Sequence, residues 1–320
     1  AAGRGGRGTG GEFDILRAVF ARLGPAGRDL GDDCALLSVG GRTLAVSIDL
    51  SLEGVHFRTD WLSFREIGWR ATAAALSDLA AEGATPLGVL VSLGVPGNRQ
   101  RRIGNAAPAV EIMAGVGAAV RSVGAIVLGG DLVRSPRFLV DVCALGLAPR
   151  PVRRSGARPG DGVWVSGRLG GAGVALRALQ AGRRLAPVLR RRFARVLPRI
   201  AAGRWLGRHG ARAMIDISDG LAGDAGHLAA ASGVRVAIEL RRIPCWPGVA
   251  PRAAVRSGEE YELLVAMPRR FGDAGARAFR RATGLPLTRI GRCEPGRGLR
   301  MTDNGQRITP PAGFDHFSAG

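Results

Sequence analysis

The hydrophobic pattern of the first half of the chain switches repeatedly between a helical period and runs typical of strands. Apolar residues that recur every three to four positions predict helices over 12–23, 64–83 and 111–123. Short apolar or β-branched runs predict strands over 43–50, 87–95, 125–128 and 138–147. The first of these strands ends in Asp49, and the third leads directly into Gly129-Gly130-Asp131.

The second half repeats this alternation after a stretch rich in proline, arginine and glycine at 148–160. Its predicted strands cover 162–166, 213–217, 234–240 and 261–267. Its predicted helices cover 174–181, 190–208 and the segment after Asp219. Alternation in both halves indicates an α+β chain with two α/β-type domains. We therefore expect a flexible Gly/Arg tail at 1–11, an N-terminal domain at 12–149 and a C-terminal domain at 150–320.

Positive charge is concentrated in the second half. The formal net charge is +20, and every basic residue is an arginine. There are 16 arginines and 14 acidic residues up to residue 150, but 30 arginines and 12 acidic residues after it. This excess attracts polyanions, so an arginine-rich RNA-binding protein is one alternative. An aromatic content of 5% argues against a base-stacking surface, and we expect no specific nucleic acid partner.

The sequence has no feature typical of a membrane or disulfide-rich protein. It contains no run of about 18 apolar residues, and its first residues lack the apolar segment of a signal peptide. The cysteines lie far apart without a CxxC pair, at Cys34, Cys143, Cys245 and Cys293. This spacing favours reduced thiols over a zinc site or a disulfide scaffold. We expect a cytoplasmic protein with no membrane partner.

Several carboxylates occupy positions where an ordinary protein places apolar residues. They lie before, at the end of or inside apolar segments, at Asp32, Asp33, Asp49, Asp78, Asp131, Asp216 and Asp219. Taken alone, Asp219 is equally well explained as a helix cap, and Asp131 as a turn residue. Asp78 is harder to explain in this way, because an unpaired charge on an apolar helix face is costly. Taken together, the carboxylates predict shared cations, and hard oxygen ligands suit Mg²⁺.

Glycine supports a phosphate site near these acids. Gly129-Gly130 allows a ligand to approach the backbone closely. A Walker A loop is excluded because the chain has no lysine, and the glycines at 167–173 lack the downstream acid of a dinucleotide fingerprint. The sequence therefore disfavours P-loop and Rossmann nucleotide sites.

An ordered set of eight motifs resembles the thiamine-monophosphate kinase family. This family belongs to the superfamily that includes aminoimidazole ribonucleotide synthetase. The motifs are GDDCA at 31–35, SID at 47–49 with EGVHF at 53–57, LSDLAA at 76–81, LGGD at 128–131, RSGARPGD at 154–161, IDISDGL at 215–221, GEEYEL at 258–263 and GFDHF at 313–317. The resemblance implies aminoimidazole ribonucleotide synthetase-like N-terminal and C-terminal domains.

The resemblance also implies a reaction and an assembly. ATP, as co-substrate, would phosphorylate thiamine monophosphate to thiamine diphosphate by direct, Mg²⁺-assisted transfer. The protein would be a homodimer paired through its N-terminal domains. Phosphoryl transfer between two anions is limited by charge repulsion and alignment, so a site rich in metal ligands suits it.

Transferred residue by residue, the resemblance predicts the following site. The metal ligands are Asp33, Ser47, Ile48 through its backbone, Asp49, Asp78, Asp131, Asp216 and Asp219. The ATP contacts are Gly130, Asp131, Arg154 and Ser218, of which Asp131 and Arg154 are also the expected catalytic residues. The substrate contacts are His56, Glu259 and Phe314.

The sequence departs from the family pattern at a few positions and leaves a sister enzyme as an alternative. Ile48 stands where the family usually has Thr, and Leu132-Val133 replaces Thr-Thr, which removes two hydroxyls near the metal site. A sister enzyme of the same superfamily would act on a different substrate. Selenophosphate synthetase needs a reactive residue ahead of the first motif, but no cysteine precedes Cys34. The hydrogenase-maturation member needs a C-terminal cysteine, whereas this chain ends in Phe-Ser-Ala-Gly.

Overall fold

Two separate β-sheets organise the chain. The computed structural model describes residues 12–27, 29–97, 107–311 and 313–314. The predicted tail at 1–11 and the end of the last motif, 315–317, lie outside the described residues. Strands of the first half form a five-stranded sheet, and strands of the second half form a seven-stranded sheet.

The first sheet is mixed and has the order β1-β2-β5-β3-β4. Its strands are β1 (Ala35–Val39), β2 (Arg42–Leu52), β3 (Thr85–Pro96), β4 (Ile126–Ser135) and β5 (Leu139–Leu147). All neighbours pair antiparallel except β3 and β4, which are parallel and are joined through a helix. The accompanying helices are α1 (Glu12–Leu23), α2 (Phe64–Ala81) and α3 (Ala107–Ser122).

Helix α2 is the central element of the molecule. It begins with a capping box in which Ser63 and Glu66 bond each other's backbone N–H groups. Its backbone packs directly against α3. A Cβ atom added to Gly68 would lie only 1.9 Å from the Ile112 carbonyl oxygen, so this contact leaves no room for a larger residue. Its alanines pack against the first sheet, and its C-terminal turn packs against the second half of the chain. Nearly every residue of α2 is therefore buried.

The second sheet has the order β12-β11-β8-β10-β6-β9-β7. Its strands are β6 (Gly162–Ser166), β7 (Ala213–Asp216), β8 (Arg235–Glu239), β9 (Leu263–Met267), β10 (Leu287–Glu294), β11 (Gly298–Asp303) and β12 (Gln306–Ile308). Its helices are α4 (Gly171–Gln180), α5 (Pro187–Ala194), α6 (Ile200–Arg208), α7 (Leu221–Ser232), α8 (Pro251–Val255) and α9 (Gly272–Thr283).

The two halves share a hydrophobic core. One cluster of buried residues contains Leu76 and Ala80 of α2 together with Phe193, Leu206 and Met214 of the second half. Helix α6 lies against α2 so closely that a Cβ on Gly203 would be 1.9 Å from the Ala80 carbonyl oxygen. This packing fixes the position of α2 relative to β7, and both elements carry candidate site residues.

Most of the predicted elements are confirmed, but their ends and some details are wrong. The strand predicted over 125–128 continues as β4 to Ser135, so Asp131 lies inside a strand and not after one. Likewise β2 continues to Leu52, past Asp49. The helical stretch predicted over 190–208 is two helices, α5 and α6. The sequence did not predict β1, a five-residue strand without arginine or glycine, or α8, α9 and β10–β12, each of which contains arginine.

Two compositional expectations can be compared with the structure. All four cysteines are free, as their spacing predicts. Within the described ranges, no helix is both long enough and apolar enough to cross a membrane.

Candidate functional site

Three aspartates from distant parts of the chain meet at the junction of the two halves. Asp33 lies just before β1, Asp78 lies in α2, and Asp216 ends β7. One carboxylate oxygen from each lies within 4.8 Å of the others. All three were predicted as metal ligands, and the structure brings them together.

Burial makes this cluster electrostatically unfavourable without a cation. Desolvation is the largest cause that raises the pKa of Asp33, Asp78 and Asp216, and the neighbouring carboxylates add to the shift. Asp33 also has a buried Oδ2 with no hydrogen-bond partner among the described residues. An orphaned carboxylate oxygen within a group of three carboxylates fits a divalent cation with oxygen ligands.

Strand β2 supplies two further predicted ligands to the same side. Ser47 Oγ donates a short hydrogen bond to Asp78 Oδ2. Asp49, two residues later, shares the sheet face of Ser47, since side chains alternate along a strand. Ile48 lies on the opposite face and is 70% exposed. Only the backbone of Ile48 is therefore available to this site within the chain.

Arg154 holds the segment before β1 in place. Its Nη2 lies 2.8 Å from Asp33 Oδ1, and its backbone N–H donates to Asp32 Oδ1 at 3.0 Å. Arg154 thereby opposes the effect of burial on the pKa of Asp33, although burial is the larger cause. The predicted ATP contact Arg154 thus lies beside the metal-ligand cluster.

A cavity of about 420 Å³ opens beside the aspartates. It combines carboxylates with aromatic and hydroxyl side chains and contains many of the predicted site residues. Its lining includes Asp49, His56, Trp61, Asp78, Asp216, Ser218, Asp219, Glu259, Tyr261 and Phe314. The cavity is thus large enough for a small organic molecule and joins an aromatic surface to the acidic cluster.

A strained loop carries Glu259 into this cavity. Glu259 has φ 56° and Tyr261 has φ 49°, values that side chains other than glycine rarely adopt. The loop is held by two backbone hydrogen bonds, from Glu259 N–H to the Ser218 oxygen at 2.6 Å and from Tyr261 N–H to the Ile217 oxygen at 2.8 Å. Strain of this kind is typical of functional sites, where surrounding contacts maintain it.

Phe314 is brought to the same cavity from the end of the described chain. Its backbone N–H donates to the Asp219 oxygen at 3.1 Å, and its side chain remains 58% exposed. An aromatic ring that is partly exposed at the wall of a cavity offers a flat surface for a ring-containing ligand.

Gly130 and Asp131 lie away from this cluster. In the sheet, Asp131 of β4 lies opposite Ser92 of β3, and Ser92 lies opposite Asp141 of β5. Asp141 in turn lies opposite Leu50 of β2. Three strand spacings, about 14 Å, therefore separate Asp131 from β2. Residues paired in this way have side chains on the same face of the sheet. For Asp131, this is the face opposite the one that carries Ser47 and Asp49. Within one chain, Asp131 is therefore not brought to the cluster.

Gly130 also lies very close to the neighbouring strand β3. A Cβ on Gly130 would lie 1.8 Å from the Val91 oxygen of β3. The contact between β3 and β4 therefore requires glycine at this position. Asp131 itself accepts a hydrogen bond from the Leu132 N–H at 2.8 Å.

Sequence reasoning missed several residues at the site. Arg70 pairs with Glu259, and Arg177 and Arg256 line the main cavity. Arg70 and Asp78 are eight residues apart on one helix with Ala74 midway, a spacing that could have indicated a common side. The other two arginines gave no signal among the 46 of the sequence.

The chain is similar to known proteins in both sequence and fold. The model of the AIR synthase related protein N-terminal domain matches residues 31–148, and that of the C-terminal domain matches 158–304. The thiamine-monophosphate kinase of Salmonella typhimurium is 33% identical over 96% of this chain and 98% of its own. That of Mycobacterium tuberculosis is 38% identical over 71% of this chain and 68% of its own.

The chain is also similar in fold to solved structures of thiamine-monophosphate kinases. A structure described as AaThiL complexed with AMPPCP and TMP has a TM-score of 0.84 and 30% identity, covering 96% of this chain and 97% of its own. The thiamine-monophosphate kinase of Stenotrophomonas maltophilia has a TM-score of 0.75 and 33% identity, covering 93% and 98%. The hydrogenase maturation protein HypE of E. coli shares the fold, with a TM-score of 0.69 at 18% identity.

Proposed function

Because this chain belongs to the thiamine-monophosphate kinase family, we propose that it transfers the terminal phosphoryl group of ATP to thiamine monophosphate, giving thiamine diphosphate and ADP. The observation that carries this proposal is the cavity that joins Asp78 and Asp216 to His56, Glu259 and Phe314. The cavity thus places candidate metal ligands and candidate substrate contacts on one continuous surface.

The acidic cluster is the Mg²⁺ site of this proposal. Asp33, Asp78 and Asp216 hold the ion, and the structure supports this with their 4.8 Å grouping and the orphaned oxygen of Asp33. Bound Mg²⁺ neutralises phosphate charge and aligns the reacting groups. Ser47, Asp49 and Asp219 complete the ligand set. Arg154 and Ser218 contact the nucleotide, where a guanidinium provides a forked donor to phosphate oxygens.

The cavity wall beyond the carboxylates receives the thiamine part of the substrate. Phe314 and Trp61 offer flat surfaces to its rings, and His56 and Glu259 offer polar contacts. Burial between these walls excludes water from the acceptor phosphate, and no covalent intermediate on the protein is needed.

The dimer in this proposal forms through the outer face of the five-stranded sheet, which lies away from α2 and α3. This face carries exposed apolar side chains, among them Leu37, Ile48, Leu50 and Leu90, with exposures between 42% and 70%. Apolar patches of this kind on a sheet mark an interaction surface. Asp131 lies on this outer face, and Gly130 directly precedes it in β4, so that a second copy brings both residues to a site that they do not reach within their own chain.

The proposed division of labour follows the two halves. The N-terminal domain, 12–149, contributes the dimer surface and most metal ligands. The C-terminal domain, 150–320, completes the nucleotide and substrate site through Arg154, the turn at 216–219 and the loop at 257–261.

The test is a direct assay of the purified protein. Incubation with ATP, thiamine monophosphate and Mg²⁺ is expected to give equal amounts of thiamine diphosphate and ADP, separated by chromatography and identified by mass. Chelation of Mg²⁺ by EDTA is expected to stop turnover, and added Mg²⁺ to restore it. Turnover of a different phosphorylated acceptor, with none of thiamine monophosphate, would contradict the proposal.

A further inference from the structure

Two arginines line the substrate cavity without a partner of their own. Arg177 lies near the end of α4, and Arg256 directly follows α8. Neither forms an ion pair with a carboxylate of the described chain. By contrast, Arg70, Arg154 and Arg192 each pair with an acidic side chain. The guanidinium groups of Arg177 and Arg256 therefore keep their donors available.

Both arginines lie near the same structural point, the side chain of Ser257. The Gly173 N–H donates to Ser257 Oγ at 2.8 Å, and this hydroxyl donates to Glu260 Oε1 at 2.5 Å. Arg177 folds back along its helix, and its Nη1 lies 3.4 Å from the position of a Cβ on Gly173. Arg256 is the residue before Ser257. The two arginines thus flank one anchored hydroxyl.

The backbone of Arg256 also runs beside the acidic turn. A Cβ on Gly220 would lie 3.2 Å from the carbonyl carbon of Arg256, and one on Gly258 would lie 2.7 Å from the Ser218 oxygen. Arg256 therefore starts next to the turn that carries Asp216 and Asp219.

The cavity is lined mainly by negative charges, so a phosphate group needs a nearby cation to bind there. Apart from these arginines, its charged lining consists of carboxylates, Asp49, Asp78, Asp216, Asp219 and Glu259. A phosphate monoester entering this surface meets strong repulsion wherever a cation does not face it. Arginine provides a forked donor that matches phosphate oxygens.

The two arginines separate the substrate cavity from a second cleft. A neighbouring cleft of about 400 Å³ is also lined by Arg177 and Arg256, together with Arg252 and apolar side chains. Because the same two residues line both spaces, they form the wall between the substrate cavity and this cleft.

We propose that Arg177 and Arg256 bind the phosphate group of the acceptor, and so distinguish thiamine monophosphate from unphosphorylated thiamine. This inference rests on the proposed function. The acceptor is favoured over ATP as the source of this phosphate, because the same cavity carries Glu259 and Phe314, the expected contacts of the thiamine part.

The test compares three constants in Arg177→Ala, Arg256→Ala and the double variant. The KM for thiamine monophosphate is expected to rise about 10-fold or more for each single change, since each removes a charge-assisted hydrogen bond. The KM for ATP and the inhibition constant of unphosphorylated thiamine are expected to stay within about twofold. Lysine at either position is expected to restore part of the lost affinity, because it retains the charge without the fork.

Arg183→Ala is the matched control, because Arg183 follows the same helix but does not line the cavity. It is expected to leave all three constants unchanged. A rise in the KM for ATP alone would overturn the assignment to the acceptor. An equal rise for thiamine and thiamine monophosphate would also overturn it, since the phosphate would then not be the group contacted.

Unchanged constants in the double variant would likewise contradict the proposal. A failure of the proposed function itself looks different, because the unsubstituted protein would then not phosphorylate thiamine monophosphate in the same assay.

Discussion

Arg70 and Glu259 form an ion pair, with Nη2 and Oε2 2.5 Å apart, between the centre of helix α2 and the strained loop at the cavity. The Arg70 side chain is only 6% exposed. It also donates to the Phe193 oxygen, and its guanidinium carbon lies 4.2 Å from the centre of the Phe193 ring. The N-terminal half thus holds in place Glu259, a proposed substrate contact that belongs to the C-terminal half.

Arg70→Met is expected to raise the KM for thiamine monophosphate about 10-fold, because Glu259 loses the partner that orients it. The same change is expected to lower the free energy of unfolding by about 2 kcal/mol. This is less than for a fully buried pair, since Glu259 is 31% exposed. Steady-state kinetics and urea unfolding measure the two effects. The double variant Arg70→Met, Glu259→Gln is expected to recover stability, and a further loss would contradict the role of the pair.

Asp78→Asn is expected to abolish Mg²⁺ binding at the acidic cluster and to lower kcat more than about 100-fold, since it removes one of the three clustered carboxylates. Calorimetric titration with Mg²⁺, or Mn²⁺ followed by electron paramagnetic resonance, measures binding without reference to turnover. The matched control is Asp60→Asn, which alters an exposed ion pair with Arg58. Full Mg²⁺ affinity in Asp78→Asn would contradict the assignment.

Stability of the metal-free protein is expected to fall as the pH rises from about 4 to 7. Burial raises the pKa of Asp216 from 3.8 to about 7, so in this range the folded protein holds a proton that the unfolded chain has lost. Each rise in pH therefore favours the unfolded chain. Thermal unfolding at several pH values measures this slope, and Asp216→Asn is expected to reduce it. Mg²⁺ is expected to stabilise the protein more at pH 8 than at pH 6, because it binds the ionised form.

Leu90→Arg is expected to convert a dimer into monomers, because it places a charge in the middle of the apolar sheet face. Light scattering coupled to size-exclusion chromatography measures the mass. Leu197→Arg is the control, since Leu197 is 53% exposed but lies in the second half of the chain, outside this sheet. If both variants and the unsubstituted protein have the same mass, the sheet face is not the interface.

The grouping of Asp33, Asp78 and Asp216 could be expected from the sequence, because burying an unpaired carboxylate costs free energy. A carboxylate such as Asp78 inside an alanine-rich helix needs compensation, and the structure places Asp33 and Asp216 beside it. Helix α2 was equally predictable, since its spacing and capping box are local features. Local patterns of this kind carry most of the information that a single sequence offers.

Other parts depend on contacts that no local pattern encodes. The position of Asp131 follows from the continuation of β4 through two glycines and from its place at the edge of the sheet. The sequence does not distinguish Arg70 from the many other arginines of this chain. Its place at the site follows only from its ion pair with Glu259. Strands β10–β12 were missed since arginines interrupt their apolar pattern.

Helix α2 also fixes the distance between two parts of the candidate site. It is an uninterrupted rod of 18 residues, and Arg70 and Asp78 are separated along its axis by about 12 Å, at 1.5 Å per residue. Arg70 holds Glu259, the proposed contact for the organic end of the acceptor, and Asp78 is a proposed metal ligand. A molecule whose recognised group and phosphate match this separation reaches both at once. In the proposed function, a phosphate ester that is shorter or longer than this separation would reach only one of the two ends, so the helix would select acceptors by their length.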